Sequence, residues 1–302
     1  MTPPRASVII PHLNTPDLLA RCLASVVAQQ LDQGDFEVIV VDNGSTVSLD
    51  DVRTAYPAVA FLDESEPGPG LARNLGAAHA KAPVLAFIDA DCRAAPGWLQ
   101  AAVDAVEIDP EHVVAGGAID IDTVDPRHMT GMEAYESVFG FRQKWYIAKR
   151  RFSVTANLAM GAAIHRAVGP FAGIDTAEDL DWGQRATARG YPPRYVEAML
   201  VYHPARPDFD SMARKWRRLI HHTATADRLA HRTRWPWRLK AAALVLAVPV
   251  QAARLLTSPR LAGLGNRCRG VLALARINLF RSAEMLRAAR PSQAGGATSW
   301  NR

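Results

Sequence analysis

The chain has 302 residues, 49% hydrophobic and 22% charged, which excludes a disordered protein and leaves room for one large domain with an appendage. Its three cysteines (Cys22, Cys92, Cys268) are odd in number and widely spaced, which excludes a disulfide framework and a cysteine zinc site and points to a reducing cytoplasm. The net charge of +5 hides a division: residues 1–205 hold 16 Lys and Arg against 26 Asp and Glu, a net −10, and residues 206–302 hold 19 against 4, a net +15.

Pro3, Pro4 and Arg5 interrupt the start, so no signal peptide is expected there. Ala6 to Pro11 is a short β-branched run that reads as a buried strand. Asp17 to Gln30 follows with apolar residues at helical spacing (Leu18, Leu19, Cys22, Leu23, Val26, Val27). Phe36 to Asp42 and Val59 to Leu62 read as the second and third strands. Pro69 to Lys81 reads as a helix with a small-residue face (Ala72, Gly76, Ala80). Pro83 to Asp89 reads as a fourth strand, Pro96 to Ile108 as a helix and Val113 to Ile121 as a further strand. This alternation predicts an α/β fold with a mostly parallel central sheet and helices on both faces. Ligands of such sheets bind beyond the carboxyl ends of the strands. Asp42 and Asp89 each close a strand and so point to that crevice.

Several groups in this frame carry chemistry. Asp89-Ala90-Asp91 places two carboxylates just past a buried strand, which suits a divalent cation, Mg2+ or Mn2+, bridging a diphosphate. Asp42, before the tight turn Asn43-Gly44, can accept a hydrogen bond from a base N–H. Pro67 to Asn74 is a loop running into a helix, whose start offers backbone N–H groups to an anion, with Arg73 one turn in. Glu178 and Asp179 open another helix. They fit either a favourable place on its dipole or, for one of them, a general base acting on an acceptor hydroxyl. His203 stands alone after a strand-like run.

The segments VIIPHLN (8–14), VIVVDNGS (38–45), GPGLARNLGAAHA (68–80), LAFIDADC (85–92), NLAMGAAIHR (157–166) and AEDLDWGQRATARG (177–190) together resemble the inverting glycosyltransferase family 2, with its GT-A fold. The resemblance runs from Ser7 to about His203 and implies a nucleotide-sugar donor and a metal-dependent transfer to a hydroxyl of a glycan, lipid-linked or other acceptor. It puts Pro11, His12, Asn14 and Asp42 by the donor base and ribose, and Arg73 near them or the diphosphate. Asp89 goes to the ribose or the metal-bound water, Asp91 and His203 to the metal, and Gly161 close to the donor sugar. Asp179 becomes the base, with Glu178 beside it on the acceptor. The family commonly has an aromatic residue before the first-motif Asn, where this chain has Leu13.

Two other enzyme classes compete. A glycosidase would use a carboxylate pair such as Asp179 and Asp181 but leaves the nucleotide-site motifs unexplained. A nucleotidyltransferase acting on sugar phosphates shares the sheet and the metal aspartates. It usually opens with a Gly-rich basic loop where this chain has PHLNTPD.

Beyond residue 205 the character changes. Asp208 to Arg232 and Gly263 to Arg290 are basic helical patterns. Between them, Trp235 and Trp237 precede an uncharged stretch, Ala241 to Ala253, that is too short to span a bilayer and contains Pro249. The arginines accompany long apolar faces, which favours an anionic membrane surface at the cytoplasmic side, or helices packed on the sheet domain or on another copy, over nucleic acid. The expected organisation is a GT-A domain over 1–205, a basic helical region over 206–290 and a disordered tail over 291–302, with the oligomeric state open.

Overall fold

The computed structural model describes residues 3–31, 35–174, 176–229 and 235–289, and the tail expected to be disordered lies outside them. The chain divides into two compact units. A sheet unit holds Met1–Asp122 and Phe141–Pro204, and a helical unit holds Thr123–Gly140 and Ala205–Arg302. The sequence reading put Thr123–Gly140 in the first domain, whereas the structure groups it with the helices.

The sheet unit is built on eight strands: β1 (Ala6–His12), β2 (Phe36–Asp42), β3 (Ala60–Asp63), β4 (Val84–Ile88), β5 (Arg93–Ala94), β6 (Val114–Asp122), β7 (Asn157–Gly161) and β8 (Pro193–Pro204). Their order is β3-β2-β1-β4-β7-β6-β8-β5. The pairs β1–β2, β1–β4, β2–β3 and β6–β8 are parallel, while β7 runs antiparallel to both β4 and β6. The helices are α1 (Pro16–Val27), α2 (Asp50–Ala55), α3 (Pro69–His79), α4 (Trp98–Glu107), the short α6 (Gln143–Trp145), α7 (Ala162–Val168) and α8 (Glu178–Ala188). A single π turn, Tyr146–Arg150, follows α6.

The strand residues alternate between two cores, as a sheet covered on both faces requires. Val8, Ile10, Ala86 and Ile88 pack with Leu19 and Leu23 of α1 and Leu99 and Val103 of α4. Ile9, Leu85 and Phe87 face the other way, onto Ile164 and Trp182. The small-residue face of α3 lets that helix lie on β1, because a Cβ on Gly76 would come within 2.5 Å of Ile9 Cγ2.

The helical unit contains α5 (Gly131–Phe139), α9 (Phe209–Leu229), α10 (Trp235–Leu246), α11 (Val248–Leu256) and α12 (Gly263–Ala288). A capping box opens α5: the Thr130 side chain accepts from Glu133 N–H and the Glu133 carboxylate accepts from Thr130 N–H. The unit has its own core of Met129, Met132, Tyr135, Met212, Leu255 and Ile277. Pro249 sits in the first turn of α11, where its missing N–H is harmless, and the chain bends by 42° between α10 and α11.

Candidate active site

Sheet topology assembles one end of the site. β6 and β8 run parallel to each other and, across β7, in the same direction as β4. The carboxyl ends of β4 and β8 therefore lie at the same sheet edge. After β4 the chain turns, Cys92 N–H donating to Asp89 O at 2.9 Å, and Arg93 pairs with Tyr202 on β8. That pairing carries Asp91 to His203, with Oδ2 and Nε2 3.3 Å apart. His203 Nδ1 lies 2.7 Å from Pro204 O and must donate to it, since a carbonyl only accepts. With Nδ1 committed, Nε2 is the ring nitrogen that faces the carboxylate, where either its own proton or a shared cation can lie between the two. The Phe141 ring packs on the imidazole at 4.8 Å between centroids and fixes its plane.

A divalent ion fits this pair. Two donors held cis on an octahedral cation with bonds of ~2.1 Å stand ~3.0 Å apart. A hard ion also keeps phosphate oxygens and waters, so two protein ligands suffice. The expected three-residue set is not formed: among the described residues no group of three or more His, Cys, Asp and Glu side chains is arranged to hold a metal. Asp89 is drawn away by Arg73, whose Nη2 donates to its Oδ1 at 2.5 Å. Burial pushes the Asp91 carboxyl above its ordinary range, against the pull of His203, so a bare charge there is unfavourable. Two buried thiols brace the turn: Cys22 Sγ donates to Asp89 O at 3.6 Å and Cys92 Sγ to Asp91 Oδ1 at 3.7 Å. Burial raises both thiols, which keeps them unreactive.

Arg73 joins the other end of the site. It is 3% exposed and splits its fork between Asp89 and Glu178, the latter at 3.1 Å from Nη1. Burial pulls its pKa down, but the two carboxylates outweigh that and raise it. The sequence reading put Arg73 on the donor; the structure shows both terminal nitrogens engaged inside the protein, holding the end of β4 to the start of α8. Beside Glu178, the Asp179 carboxyl is half-buried and pushed up to about 6, first by burial and then by the Glu178 charge. Such a carboxylate is ionised but basic near neutral pH, as a general base should be. Asp181 is not free to form a glycosidase-type pair with it, because Arg185 Nε donates to its Oδ2 at 2.9 Å.

Hydrogen bonds tie the loops after β1 and β2 together. His12 is buried, its Nε2 accepting from Thr15 N–H at 3.0 Å and its Nδ1 facing Asp42 Oδ1 at 3.1 Å. Both ring nitrogens are thus engaged, and none is left for a donor nucleotide. Ser45 Oγ donates to Asp42 Oδ1 and accepts from Asn14 N–H at 2.8 Å. Asn14, at φ 55°, accepts from Thr46 N–H at 2.7 Å. Pro11 is buried and pairs with Val41, two residues past the last β1–β4 pair, Ile9 with Phe87, so its missing N–H removes no bond to β4.

Gly161 is not near these groups. Because β7 is antiparallel, Gly161 pairs with Val84, and Asn157 pairs with Ile88 at the crevice end. Four residues of strand put Gly161 about 13 Å back along the ladder. Its missing side chain serves packing, since a Cβ would come within 2.1 Å of Pro110 O. Asn157 went unnoticed in the sequence. It is buried and accepts from Trp98 Nε1 at 2.9 Å while donating to Ala118 O and Met199 O at 2.7 and 2.8 Å. Ser45 and Phe141 were also missed. Ser45 carried the signal of a hydroxyl in a strand-ending turn, whereas Phe141 carried none, since tertiary contact alone makes it significant.

Comparison with known proteins follows the same outline. The pattern described as glycosyl transferase family 2 matches residues 7–175. The chain is 32% identical over 222 residues to glycosyltransferase AglE of Haloferax volcanii, covering 72% of each. It is 36% identical over 129 residues to validoxylamine A glucosyltransferase of Streptomyces hygroscopicus subsp. limoneus, covering 41% of this chain and 28% of that one. Among solved structures, a mannosyltransferase from Pyrobaculum calidifontis in complex with GDP-Man and Mn2+ superposes with TM-score 0.57 at 22% identity, over 92% of this chain and 88% of that one. S. aureus TarS gives 0.51 at 20% identity, over 72% of this chain and 39% of that one.

Proposed function

The chain belongs to glycosyltransferase family 2 and has a GT-A fold with C-terminal helices, and from that premise we propose that it moves a sugar, with inversion, from a nucleotide-diphosphate donor to an acceptor hydroxyl in cell-surface glycan or glycolipid assembly. The observation that carries the reading is the Asp91–His203 pair, 3.3 Å apart at the carboxyl ends of β4 and β8, with the far imidazole nitrogen committed to Pro204 O. These two residues would hold Mg2+ or Mn2+, which neutralises charge on a leaving diphosphate. Asp179 takes the acceptor proton as that oxygen bonds to the anomeric carbon and the bond from that carbon to the diphosphate breaks on the opposite face. Arg73 keeps Asp89 and Glu178 in place around the reacting centre. Support for a nucleotide-sugar donor and a metal comes from the Pyrobaculum calidifontis enzyme, described with GDP-Man and Mn2+. The nucleotidyltransferase alternative has no counterpart among these relatives. The test is a thermal-shift screen of nucleotide sugars with Mn2+. The cognate donor at a hundredfold excess over Kd should stabilise the fold by roughly 2.7 kcal/mol. No response to any donor, or an equal response in EDTA, would refute the reading.

Location is part of the same proposal: the helical unit lies on an anionic membrane surface on the cytoplasmic side. No single helix among the described residues is long and apolar enough to cross a bilayer, though the bent pair α10–α11 passes that test by length and composition. Much of that pair is exposed, including Trp235 at 62%, Leu246 at 77% and Val250 at 70%. On α12, Leu272, Leu279 and Leu286 are exposed at seven-residue spacing, flanked by exposed Arg269, Arg276 and Arg287. An apolar stripe beside an arginine row matches lipid below a negative headgroup layer, where each basic residue contributes ~1 kcal/mol. Trp237 is buried, its Nε1 donating to Asp227 at 3.1 Å, and so does not contribute to this face. Full-length protein should sediment with phosphatidylglycerol vesicles at low salt, and Leu272→Glu/Leu279→Glu should weaken this about tenfold or more. Absence of binding would refute the proposal, and self-association lost in the same variant would make the stripe an interface between two copies.

A further inference from the structure

Outside residues 141–174 the sheet unit pairs six of its nine Lys and Arg with carboxylates, as in Arg5–Glu107, Arg21–Asp122, Arg53–Asp63, Arg73–Asp89, Arg93–Asp122 and Arg185–Asp181. One stretch breaks this pattern. Residues 141–174 contain six Lys and Arg and no Asp or Glu, and five of the six fall within 142–151. These five (Arg142, Lys144, Lys149, Arg150, Arg151) are exposed, and among the described residues none is paired with a carboxylate. Five like charges within ten residues repel one another, and the arrangement is favourable when an anion is shared among them.

This stretch is held rigidly, and against the helix that carries the proposed base. Gln143 is buried, its Nε2 donating to Ser153 Oγ at 2.8 Å and Gly117 O at 3.2 Å, and its Oε1 accepting from Val154 N–H at 3.2 Å. Between these anchors the chain forms the π turn Tyr146–Arg150, then places Arg151 in the left-handed region at φ 58°. Neither feature is common, and both concentrate at functional sites. The far end is fastened to α8: Thr187 Oγ1 donates to Arg151 O at 3.1 Å, and Phe152 packs so closely on Gly183 that a Cβ there would come within 2.4 Å. The first turn of α8 carries Asp179. Tyr146 stacks on Phe152 at 5.2 Å between centroids, and its hydroxyl feels both groups: burial raises its pKa, Arg142 and Arg150 lower it, and the Asp179 charge raises it. Arg142 is steadied over the Trp145 ring at 4.6 Å.

We propose that Arg142 and Arg150 bind a phosphate group carried by the acceptor, which sets the acceptor hydroxyl against Asp179. The inference rests on the reading of Asp179 as the base and adds the chemical class of the acceptor. Guanidinium forks suit the tetrahedral dianion, and the flanking Lys144 and Lys149 add field without fixed geometry. The same chemistry serves a lipid-borne phosphate and a phosphate on a soluble acceptor.

Calorimetric titration of the full-length protein in EDTA, with octyl phosphate below its micelle concentration and separately with inorganic phosphate, tests the site. Octyl phosphate should bind, and Arg142→Gln/Arg150→Gln should weaken binding about tenfold or more, with circular dichroism confirming the fold. Sensitivity of octyl phosphate alone assigns a lipid-borne group, and sensitivity of both probes assigns the phosphate itself. Should the double variant fail to fold, Arg150→Gln at its exposed position should still weaken binding about threefold. Absence of binding to the unsubstituted protein overturns the assignment. So does binding that survives the substitutions, which would belong to the basic helical unit. Because binding is measured and not transfer, a negative result leaves the proposed reaction standing, and a failed donor screen leaves this site standing.

Discussion

Asp91→Asn is expected to abolish transfer, by ~10³-fold or more, and to remove the stabilisation that Mn2+ gives with a donor nucleotide. Asparagine keeps the shape of the turn but carries no charge to share a cation with His203 Nε2, 3.3 Å away. The fold should tolerate the change. Burial makes the Asp91 charge unfavourable when no cation faces it, and the bond that closes the turn, Cys92 N–H to Asp89 O, is between backbone groups. Melting curves in EDTA should therefore show the variant at least as stable as the parent. Turnover measured with donor and excess Mn2+ decides the matter. Full activity in Asp91→Asn, or in the parent with excess chelator, means that no cation acts at this pair.

The second large effect concerns Asp179. Asp179→Asn should cut kcat about 10²-fold or more while leaving donor affinity near that of the parent. The pH dependence has a definite sign. With a folded pKa of about 6, the carboxylate is protonated and inactive at low pH, so kcat/KM of the parent should fall as pH drops through 6. Stability moves oppositely. The folded pKa lies above the ordinary 3.8, so the group destabilises the folded state once pH rises through about 6, and has no such effect below the unfolded value. Removing the charge should therefore stabilise the protein at pH 7.5. Allowing for solvent screening at a half-buried position, the gain is ~1–2 kcal/mol, or ~2–8 °C in Tm, vanishing near pH 4. Normal turnover in Asp179→Asn would move the base to another carboxylate. A loss of turnover with a fall in Tm at pH 7.5 would mean that the residue supports structure instead.

The groups that end strands were the legible ones. Asp42 and Asp89 follow apolar runs whose length and β-branched content define strands, so their edge of the sheet could be read without coordinates. Asp91 and His203 lie 112 positions apart in the sequence, and only the antiparallel pairing of Arg93 with Tyr202 brings them together. No local pattern encodes that pairing. Arg73 was legible as important but not in its role, because a buried arginine bridging Asp89 and Glu178 and an exposed one on a diphosphate look alike in sequence. Gly161 was misplaced for a directional reason. Its segment is a strand that runs opposite to β4, so the motif enters the crevice at Asn157 and leaves it at Gly161. The segment Thr123–Gly140 did carry a warning, since Thr130 and Glu133 form the start signal of a helix where a continuing sheet domain had been expected.

That segment has a consequence for how the chain matures. Beyond its own helix, the apolar residues Met129, Met132 and Tyr135 cluster with residues of α9, α11 and α12. On a ribosome, residue 140 therefore emerges some 69 positions before Phe209. At 5–20 residues per second roughly 3–14 s pass before even the first of these partners, on α9, is made, while the rest of the sheet unit is completed. The helical unit is thus a discontinuous domain whose first piece waits on its last. A nascent chain stalled or cut within residues 141–205 would display that apolar surface to the cell, and chaperones or proteases would meet it first. Removing everything after Pro207 would do the same permanently, so the C-terminal helices cannot be shed or exchanged as a module without orphaning a piece in the middle of the chain.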